Sequence, residues 1–312
     1  MMFEKLNALG KKRVPFLVIS DFLASKVEVI KLADLHLHDI EFSIDQEYTF
    51  KKHNEIFVKE KPDFKAYKEK FDKVIEHIKS GNTYLLNLTA PTKITSRLTL
   101  KEIYKNANAK YKLRYKDEFV CFSPERFITI KDSYIHTYPM KGTIDASTEN
   151  AENKILSDAK EFAEHTMIVD LLRNDLSMVA QDIKVEKFRF VEMIDAGEKK
   201  LLQVSSHISG FVGSSWHERV GDIVQKLLPA GSISGAPKKK TLEIIEEVES
   251  YERDFFSGIF GLYDGESFDS GVMIRFIEKN KDAYVYKSGG GITLDSEAKL
   301  EYDELRDKIY LP

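Results

Sequence analysis

Cysteine is nearly absent from this 312-residue chain, which contains only Cys121. A single cysteine excludes an internal disulfide framework and a thiolate metal cluster. Cys121 lies in the apolar run 119–122, which reads Phe-Val-Cys-Phe. We therefore expect a small buried hydrophobe at this position rather than a reactive thiol.

Long apolar runs and an excess of positive charge are also missing. No run approaches the roughly 18 residues that a membrane helix needs, and the N-terminus has no signal-peptide pattern. The formal net charge is −4, whereas a mainly nucleic-acid-binding protein usually carries a basic surface. We therefore predict a cytoplasmic protein with no membrane segment and no primary role on nucleic acid.

The composition is otherwise that of an ordinary globular protein. Hydrophobic residues make up 42% of the chain and charged residues 31%, which supports a sizeable core under a soluble surface. No repeat, low-complexity tract or linker divides the sequence. We predict one catalytic domain over residues 1–312, in which residues 1–61 form a short N-terminal portion.

The order of apolar patterns predicts hairpins of strands with helices between them. The clearest helices are a segment from Pro62 to Gly81, a long one over 152–179 and a last one over 296–309. Residues 271–277 read as a strand. Hairpins separated by helices are typical of an α+β protein with antiparallel sheets.

Residues 139–143, Pro-Met-Lys-Gly-Thr, place Lys141 in a short turn. Glu125 lies upstream, and the residues between them alternate around a Lys-Asp-Ser turn at 131–133, which predicts a β-hairpin. Because a hairpin brings its two ends together, a carboxyl and an amine can meet at its open end. Such a pair supplies the acid/base and the nucleophile of covalent catalysis. A surface ion pair is the alternative.

Two pairs of glutamates share a three-residue spacing, Glu161 with Glu164 and Glu301 with Glu304. At this spacing both carboxylates of a pair point from one helix face. A solvated face explains either pair alone. If the two pairs meet in the fold, they indicate a site for a hard divalent cation, and Mg²⁺ fits best because it binds through few carboxylates and keeps several waters.

Two glycine-containing segments are candidate anion sites. Residues 288–291, Ser-Gly-Gly-Gly, follow a strand, and we expect a loop whose N–H groups converge on an anion. Residues 231–238 lead into a helix with Pro237 at its first position, which also favours an anion. The lysine run 238–240 is either a solvated helix face or a nucleic-acid patch.

Arg275 lies in the apolar run 272–276, where an unpaired charge would be costly to bury. It is either part of a structural ion pair or a clamp for a substrate carboxylate.

Taken in order, the chemistry-bearing blocks resemble the chorismate-utilising enzymes over about residues 62–312. The blocks are 123–127, 139–143, Glu164 with 167–175, 231–238, 274–275, 289–292, and 301–304 with Lys308. The resemblance implies two antiparallel β-sheets packed together with helices outside, an α-β-β-α sandwich. A lysine in the Pro-x-Lys-Gly-Thr turn is similar to aminodeoxychorismate synthase component I, whereas anthranilate and isochorismate synthases usually have alanine there.

The resemblance also implies roles for these residues. Glu164 and Glu304 would hold Mg²⁺ against the ring carboxylate of chorismate, and Glu161 and Glu301 would act through water. The residues implied to bind the substrate are Gly142, Thr143, Ser232, Arg275, Gly289, Gly290, Gly291 and Lys308.

In the implied reaction, Lys141 adds to C2 of chorismate while Glu125 protonates the departing C4 hydroxyl. Ammonia, free or from a separate glutamine amidotransferase subunit, then replaces Lys141 to give 4-amino-4-deoxychorismate, a step toward 4-aminobenzoate and folate. We expect a depressed pKa for Lys141, because only the neutral amine is a nucleophile.

Two alternatives remain. The first is anthranilate synthase component I, although Leu202 stands where we expect that family's histidine near the ring. The second and more remote one is a non-catalytic or nucleic-acid-binding module built on residues 238–240.

Overall fold

The computed structural model describes residues 2–44, 58–60, 62–195, 200–281 and 283–311. Within these ranges the helices are α1 (Met2–Lys11), α2 (Phe64–Lys79), α3 (Leu100–Asn106), α4 (Ala151–Ser157), α5 (Ala159–Ser177), α6 (Val220–Leu227), α7 (Lys238–Val248) and α8 (Ala298–Asp307). Short 3₁₀ turns span Leu32–Leu37, Trp216–Arg219 and Gly231–Ile233.

The strands form two sheets, and every pairing described is antiparallel. The first sheet has the order β10-β12-β9-β8-β15-β14-β1-β2, with β11 also on β12. The second has the order β13-β5-β17-β16-β7-β6-β3, with β4 also on β5. The strands are β1 (Phe16–Ser20), β2 (Val27–Lys31), β3 (Ile40–Ile44), β4 (Val58–Lys59), β5 (Leu85–Thr95), β6 (Tyr111–Tyr115), β7 (Phe119–Ser123), β8 (Arg126–Lys131), β9 (Tyr134–Thr137), β10 (Met140–Asp145), β11 (Gln181–Asp195), β12 (Lys200–Phe211), β13 (Gly235–Ala236), β14 (Ile259–Tyr263), β15 (Phe268–Val272), β16 (Phe276–Asn280) and β17 (Ala283–Ile292).

The two sheets pack face to face. Leu17 and Ile19 of β1 share one buried cluster with Leu113 of β6, which belongs to the other sheet. At Gly271 on β15 a Cβ would lie 2.6 Å from the Cγ of Tyr111, so only glycine admits this close approach. Helix α5 lies against the first sheet and α8 against the second. The α+β architecture with helices outside two antiparallel sheets is confirmed.

The helix expected over 152–179 is broken into α4 and α5. Asp158 ends α4 and takes an extended conformation with φ −66° and ψ 117°. Its carboxylate accepts a hydrogen bond from the N–H of Glu161 at 2.9 Å, which caps the start of α5. The prediction of one continuous helix is therefore wrong, because this aspartate favours a helix start over a helix interior.

The strand expected over 271–277 is also interrupted. β15 ends at Val272 in the first sheet and β16 begins at Phe276 in the second, so residues 273–275 carry the chain from one sheet to the other. Arg275 has φ +52° at this crossing. The prediction of a single strand is wrong here, because both flanks are apolar enough for a sheet core and only their packing reveals that they belong to different sheets.

Helix α1 was not predicted. It packs closely on the 3₁₀ turn Trp216–Arg219 and on α6. An added Cβ at Gly10 would lie 2.0 Å from the carbonyl oxygen of His217 in that turn, and one at Gly221 of α6 equally close to that of Phe3. No helix in the described part of the chain is long and apolar enough to cross a bilayer. The single-domain organisation stays a prediction.

Candidate active site

The predicted β-hairpin is confirmed as β8 and β9. Lys131 pairs with Tyr134 across a two-residue turn in which Asp132 and Ser133 have φ +50° and +67°. Two positive φ values are characteristic of the tight turn that matches the twist of a hairpin. Beyond β9 the chain crosses to β10, which carries Lys141 and pairs with β12.

Lys141 contacts a carboxylate from a helix. Its Nζ lies 2.7 Å from Oε2 of Glu164 on α5. Burial lowers the pKa of Lys141, but the surrounding carboxylates, Glu164 first, raise it, and the net shift is upward. The expectation of a depressed pKa is wrong for this arrangement, because the ion pair stabilises the ammonium more than burial destabilises it.

Glu125 lies just before β8 and is bound by a serine from a distant turn. The Ser232 hydroxyl donates a hydrogen bond to Oε1 of Glu125. Burial raises the pKa of Glu125, whereas this hydrogen bond and the charges of Arg275 and Lys308 oppose the rise. The net shift is upward. A carboxyl group with a raised pKa is suited to act as a general acid near neutral pH.

The two glutamate pairs come together from α5 and α8. Glu164, Glu304 and Glu161 all act to raise the pKa of Lys141. Burial raises the pKa of Glu301, and the charge of Lys141 partly opposes that rise. Lys308 adds a second cation, with its Nζ 2.7 Å from Oε1 of Glu304. The structure therefore brings the four predicted carboxylates around Lys141.

These carboxylates offer only oxygen ligands, the type that Mg²⁺ prefers. Oε2 of Glu161 is buried without a hydrogen-bond partner in the described part of the chain, as expected of an atom with a further ligand to accept. Within the same ranges no group of three or more acidic, histidine or cysteine side chains already has the geometry of a metal site. Glu164 and Glu304 each face a lysine instead. The residues fit Mg²⁺ in the type of their donor atoms, and the metal stays a prediction.

The glycines at 289–291 lie in a strand, so the expectation of a loop is wrong. They extend β17, and Gly289, Gly290 and Gly291 pair with residues of β5. An added Cβ on Gly290 would lie 3.5 Å from Oε2 of Glu301 and 3.7 Å from Nζ of Lys308. Lys308 also donates to the carbonyl oxygen of Gly289 at 2.9 Å. Gly290 therefore faces the charged cluster, whereas Gly289 is packed against β5, where an added Cβ would lie 2.5 Å from Cγ2 of Thr89.

The other predicted anion segment supplies Ser232 but no basic patch. Pro237 precedes α7 as its N-cap, one position before the predicted one. The Nζ of Lys238 lies 2.9 Å from Asp175, and that of Lys240 lies 2.9 Å from Glu243. Lys238 is thus paired inside the fold, whereas Lys239 and Lys240 are exposed and Lys240 pairs along its own helix, as expected of a solvated helix face.

Arg275 lies at the crossing between the sheets. Its Nε is buried and has no hydrogen-bond partner within the described ranges, and its guanidinium carbon lies 5.4 Å from the ring centre of Tyr310. Burial lowers the pKa of Arg275, but Tyr310 and neighbouring groups raise it above its ordinary value. A charged guanidinium with an unused N–H donor fits a clamp for a carboxylate.

Gly142 and Thr143 follow Lys141 on β10. Gly142 has φ +92°, and a Cβ there would lie 2.9 Å from Oε2 of Glu161, so glycine is required for both backbone and space. Thr143 pairs with Gln203 on β12, while Leu202 pairs with Ile144. Gln203, rather than Leu202, therefore lies across from the predicted substrate-binding threonine.

His165 is a further residue of this region that the sequence did not single out. It is fully buried, with Nε2 2.7 Å from the Ser206 hydroxyl and Nδ1 3.4 Å from the carbonyl oxygen of Lys141. Burial lowers its pKa to about 4, so the ring is neutral at neutral pH. The sequence signal that could have identified His165 is its position on the buried face of α5, next to Glu164.

This fold and site coincide with a known family. The family model described as chorismate binding enzyme matches residues 18–311. The chain therefore belongs to the chorismate-binding enzyme family and is a chorismate-utilising enzyme.

Individual relatives span several activities. Over 317 residues the chain is 46% identical to an "Uncharacterized PabA-like protein" of Haemophilus influenzae, covering 99% of this chain and 95% of that protein. It is 31% identical over 258 residues to aminodeoxychorismate synthase component 1 of Escherichia coli, covering 78% of this chain but 56% of that protein. The solved structure of MenF, the menaquinone-specific isochorismate synthase from Escherichia coli, aligns with a TM-score of 0.74 at 14% identity, covering 97% and 79%. That last similarity shows the fold alone.

Proposed function

We propose that this protein is the chorismate-aminating subunit of an aminodeoxychorismate synthase. It converts chorismate and ammonia to 4-amino-4-deoxychorismate and water. The observation that carries the proposal is Lys141 on β10, an amine held among carboxylates with its Nζ 2.7 Å from Glu164. It stands in the Pro-x-Lys-Gly-Thr segment where this branch of the family has its lysine. The 31% identity to the Escherichia coli component supports the same assignment.

In the first step the neutral amine of Lys141 forms a bond to C2 of the ring. Both conjugated ring double bonds shift, the C4–O bond breaks, and Glu125 gives its proton to the hydroxyl, which leaves as water. Burial raises the pKa of Glu125, which favours the protonated carboxyl that this step needs. Lys141 must first lose the proton that its contact with Glu164 stabilises.

In the second step ammonia forms a bond to C4, both ring double bonds shift back, and the C2–N bond to Lys141 breaks. Glu125, now a carboxylate, removes one proton from the new C4 ammonium group. This restores the acid and the free lysine amine, so the enzyme returns to its starting state. The enolpyruvyl group is untouched, and no pyruvate is released.

Cationic and neutral donors of the site would hold the two carboxylates of chorismate. Arg275 has a buried Nε with no partner in the described part of the chain, and a substrate carboxylate would satisfy it. Lys308 donates to the carbonyl oxygen of Gly289 and lies beside Gly290, whose missing side chain would let the ligand approach the backbone. Thr143, Gly142, Gly291 and Ser232 complete the proposed substrate site.

Glu164 and Glu304 would hold a magnesium ion, with Glu161 and Glu301 acting through water. Such an ion would neutralise the carboxylates that hold Lys141 as an ammonium and would balance the ring carboxylate of the substrate. We also propose a glutamine amidotransferase as the source of ammonia, because the Escherichia coli relative is itself named a component of its synthase.

The test is to incubate purified protein with chorismate, Mg²⁺ and ammonium at mildly alkaline pH and to separate the products by mass. Formation of 4-amino-4-deoxychorismate without pyruvate, absent when ammonium is left out, supports the proposal. Anthranilate with pyruvate would instead establish the anthranilate synthase alternative. No turnover, even with an amidotransferase added, would overturn both.

A further inference from the structure

A 3₁₀ turn, Gly231–Ile233, carries the hydroxyl that binds Glu125, and a buried aspartate lies directly behind it. The N–H of Gly231 donates to the carboxylate of Asp175. A Cβ on Gly231 would lie 2.7 Å from Oδ2 of Asp175, so the turn's backbone rests against this carboxylate. The proposed mechanism has no use for Asp175, although this side chain is charged and buried.

Asp175 is itself held in place by a lysine. It lies in the last turn of α5 and is 7% exposed. Nζ of Lys238 lies 2.9 Å from Oδ1 of Asp175 and donates to the carbonyl oxygen of Leu227 at 3.1 Å. This ion pair joins the end of α5, the end of α6 and the start of α7 around the turn. A buried carboxylate is tolerated only with such partners.

The far end of the same turn has an independent anchor. The carbonyl oxygen of Ile233 accepts from Nη1 of Arg253 at 2.8 Å, and Arg253 is paired with Glu249 at 2.8 Å. Both side chains of this second ion pair are buried. A change at Asp175 therefore releases only the Gly231 end, where Ser232 follows.

We propose that Asp175, fixed by Lys238, is a positioning residue that places the Ser232 hydroxyl on Glu125 and thereby sets the proton affinity of that carboxyl. The inference rests on the proposed function only where Glu125 is named as the acid. A hydroxyl donating to a carboxylate stabilises its charged form, so the position of Ser232 decides how readily Glu125 gives up its proton.

The direction in which the pKa of Glu125 moves distinguishes a positioning role of Asp175 from a direct effect of its charge. Removing the negative charge of Asp175 would by itself make Glu125 easier to ionise. Losing the hydrogen bond from Ser232 would make Glu125 harder to ionise. Arg275 and Lys308, the cations that act on Glu125, stay unchanged.

The experiment is a titration of the Glu125 carboxyl by isotope-edited infrared spectroscopy, with Glu125→Gln to assign the band. We expect Asp175→Asn and Ser232→Ala each to move the midpoint upward, and the double variant to move it no further than Ser232→Ala alone. Asp170→Asn is the matched control, because Asp170 is exposed on the same helix and pairs only at the surface with Arg173. It should move nothing.

Gly231→Ala is the second variant, and it serves if Asp175→Asn fails to fold. It pushes the turn off Asp175 without changing any charge, and the midpoint should again rise. In turnover, both variants should lower kcat for chorismate consumption about tenfold or more, with little change in KM.

An unchanged or lowered midpoint in Asp175→Asn or Gly231→Ala, or a shift that adds to that of Ser232→Ala, would overturn the proposal. Because the titration uses protein without substrate, it stands even if the aminating activity is not found. Failure of the positioning role and failure of the proposed function are therefore distinguishable.

Discussion

The ammonium of Lys141 lies 2.7 Å from Oε2 of Glu164, and this ion pair joins β10 to the first half of α5. The Glu164 side chain is 8% exposed and that of Lys141 is 32% exposed, so water still reaches the lysine from one side. The proposed nucleophile is thus held in its protonated form by Glu164.

Replacing Lys141 by alanine should abolish amination. We expect formation of 4-amino-4-deoxychorismate to fall at least about 10³-fold, because the covalent route loses its nucleophile. Product is measured by mass spectrometry after incubation with chorismate, Mg²⁺ and ammonium. Lys160→Ala is the control, since the Nζ of Lys160 lies 3.8 Å from the same carboxylate but is half exposed. If both variants keep equal activity, Lys141 is not the nucleophile.

The carboxylates of α5 and α8 should bind a divalent cation. Mn²⁺, a paramagnetic substitute for Mg²⁺, should bind the wild-type protein, as measured by electron paramagnetic resonance. Glu164→Gln and Glu304→Gln should each weaken binding by at least about tenfold, because each removes one charged oxygen ligand. Glu243→Gln, on the exposed side of α7, should leave it unchanged. Equal affinities in all four proteins would remove the metal from the mechanism.

Gly142 and Gly81 form a matched pair for testing the backbone beside Lys141. Both have positive φ, +92° and +72°, but only Gly142 has a neighbour where a Cβ would be placed. Alanine at either site should lower the free energy of unfolding by about 1–3 kcal/mol through backbone strain. Gly142→Ala should in addition displace Glu161 and reduce turnover by about 100-fold. Denaturant unfolding measures the loss of stability, and chorismate consumption measures the loss of turnover. Similar activity in both variants would contradict the proposed role of Gly142 in the active site.

Glu125 should make the stability of the protein depend on pH. Its pKa is raised by burial, so the folded state holds this proton more tightly than the unfolded chain. The resulting stabilisation is fully present below the ordinary glutamate pKa and is lost as the pH rises through the raised pKa. Glu125→Gln avoids that loss and can still accept from Ser232.

Thermal unfolding of Glu125→Gln and wild type at about pH 5 and about pH 8 tests the direction of this pH dependence of stability. The variant should gain more stability relative to wild type at the higher pH, while losing amination. Glu243→Gln should show no such gain, because Lys240 holds the pKa of Glu243 below its ordinary value. A larger gain at the lower pH would mean that burial is not the dominant influence on Glu125.

Much of the local structure could be predicted from the sequence. The hairpin around residues 131–133, the helix that begins after Asp63 and the alternation of strands with helices all follow from short-range patterns. The motif order also indicated the family, which the match over residues 18–311 confirms. The same patterns failed where one residue changes the course of the chain, as at the Asp158 cap and the Arg275 crossing.

The sequence by itself determined the family and the kind of many elements, because turn residues and apolar periodicity act over a few neighbouring positions. It did not place Lys141 and residues 289–291 in strands, where the structure has them. Only the tertiary structure decided the partners of the site residues. Lys141 contacts Glu164, Glu125 accepts from Ser232, and Asp175 supports Gly231. These contacts join residues far apart in the chain, and they form only once two sheets and their covering helices have packed.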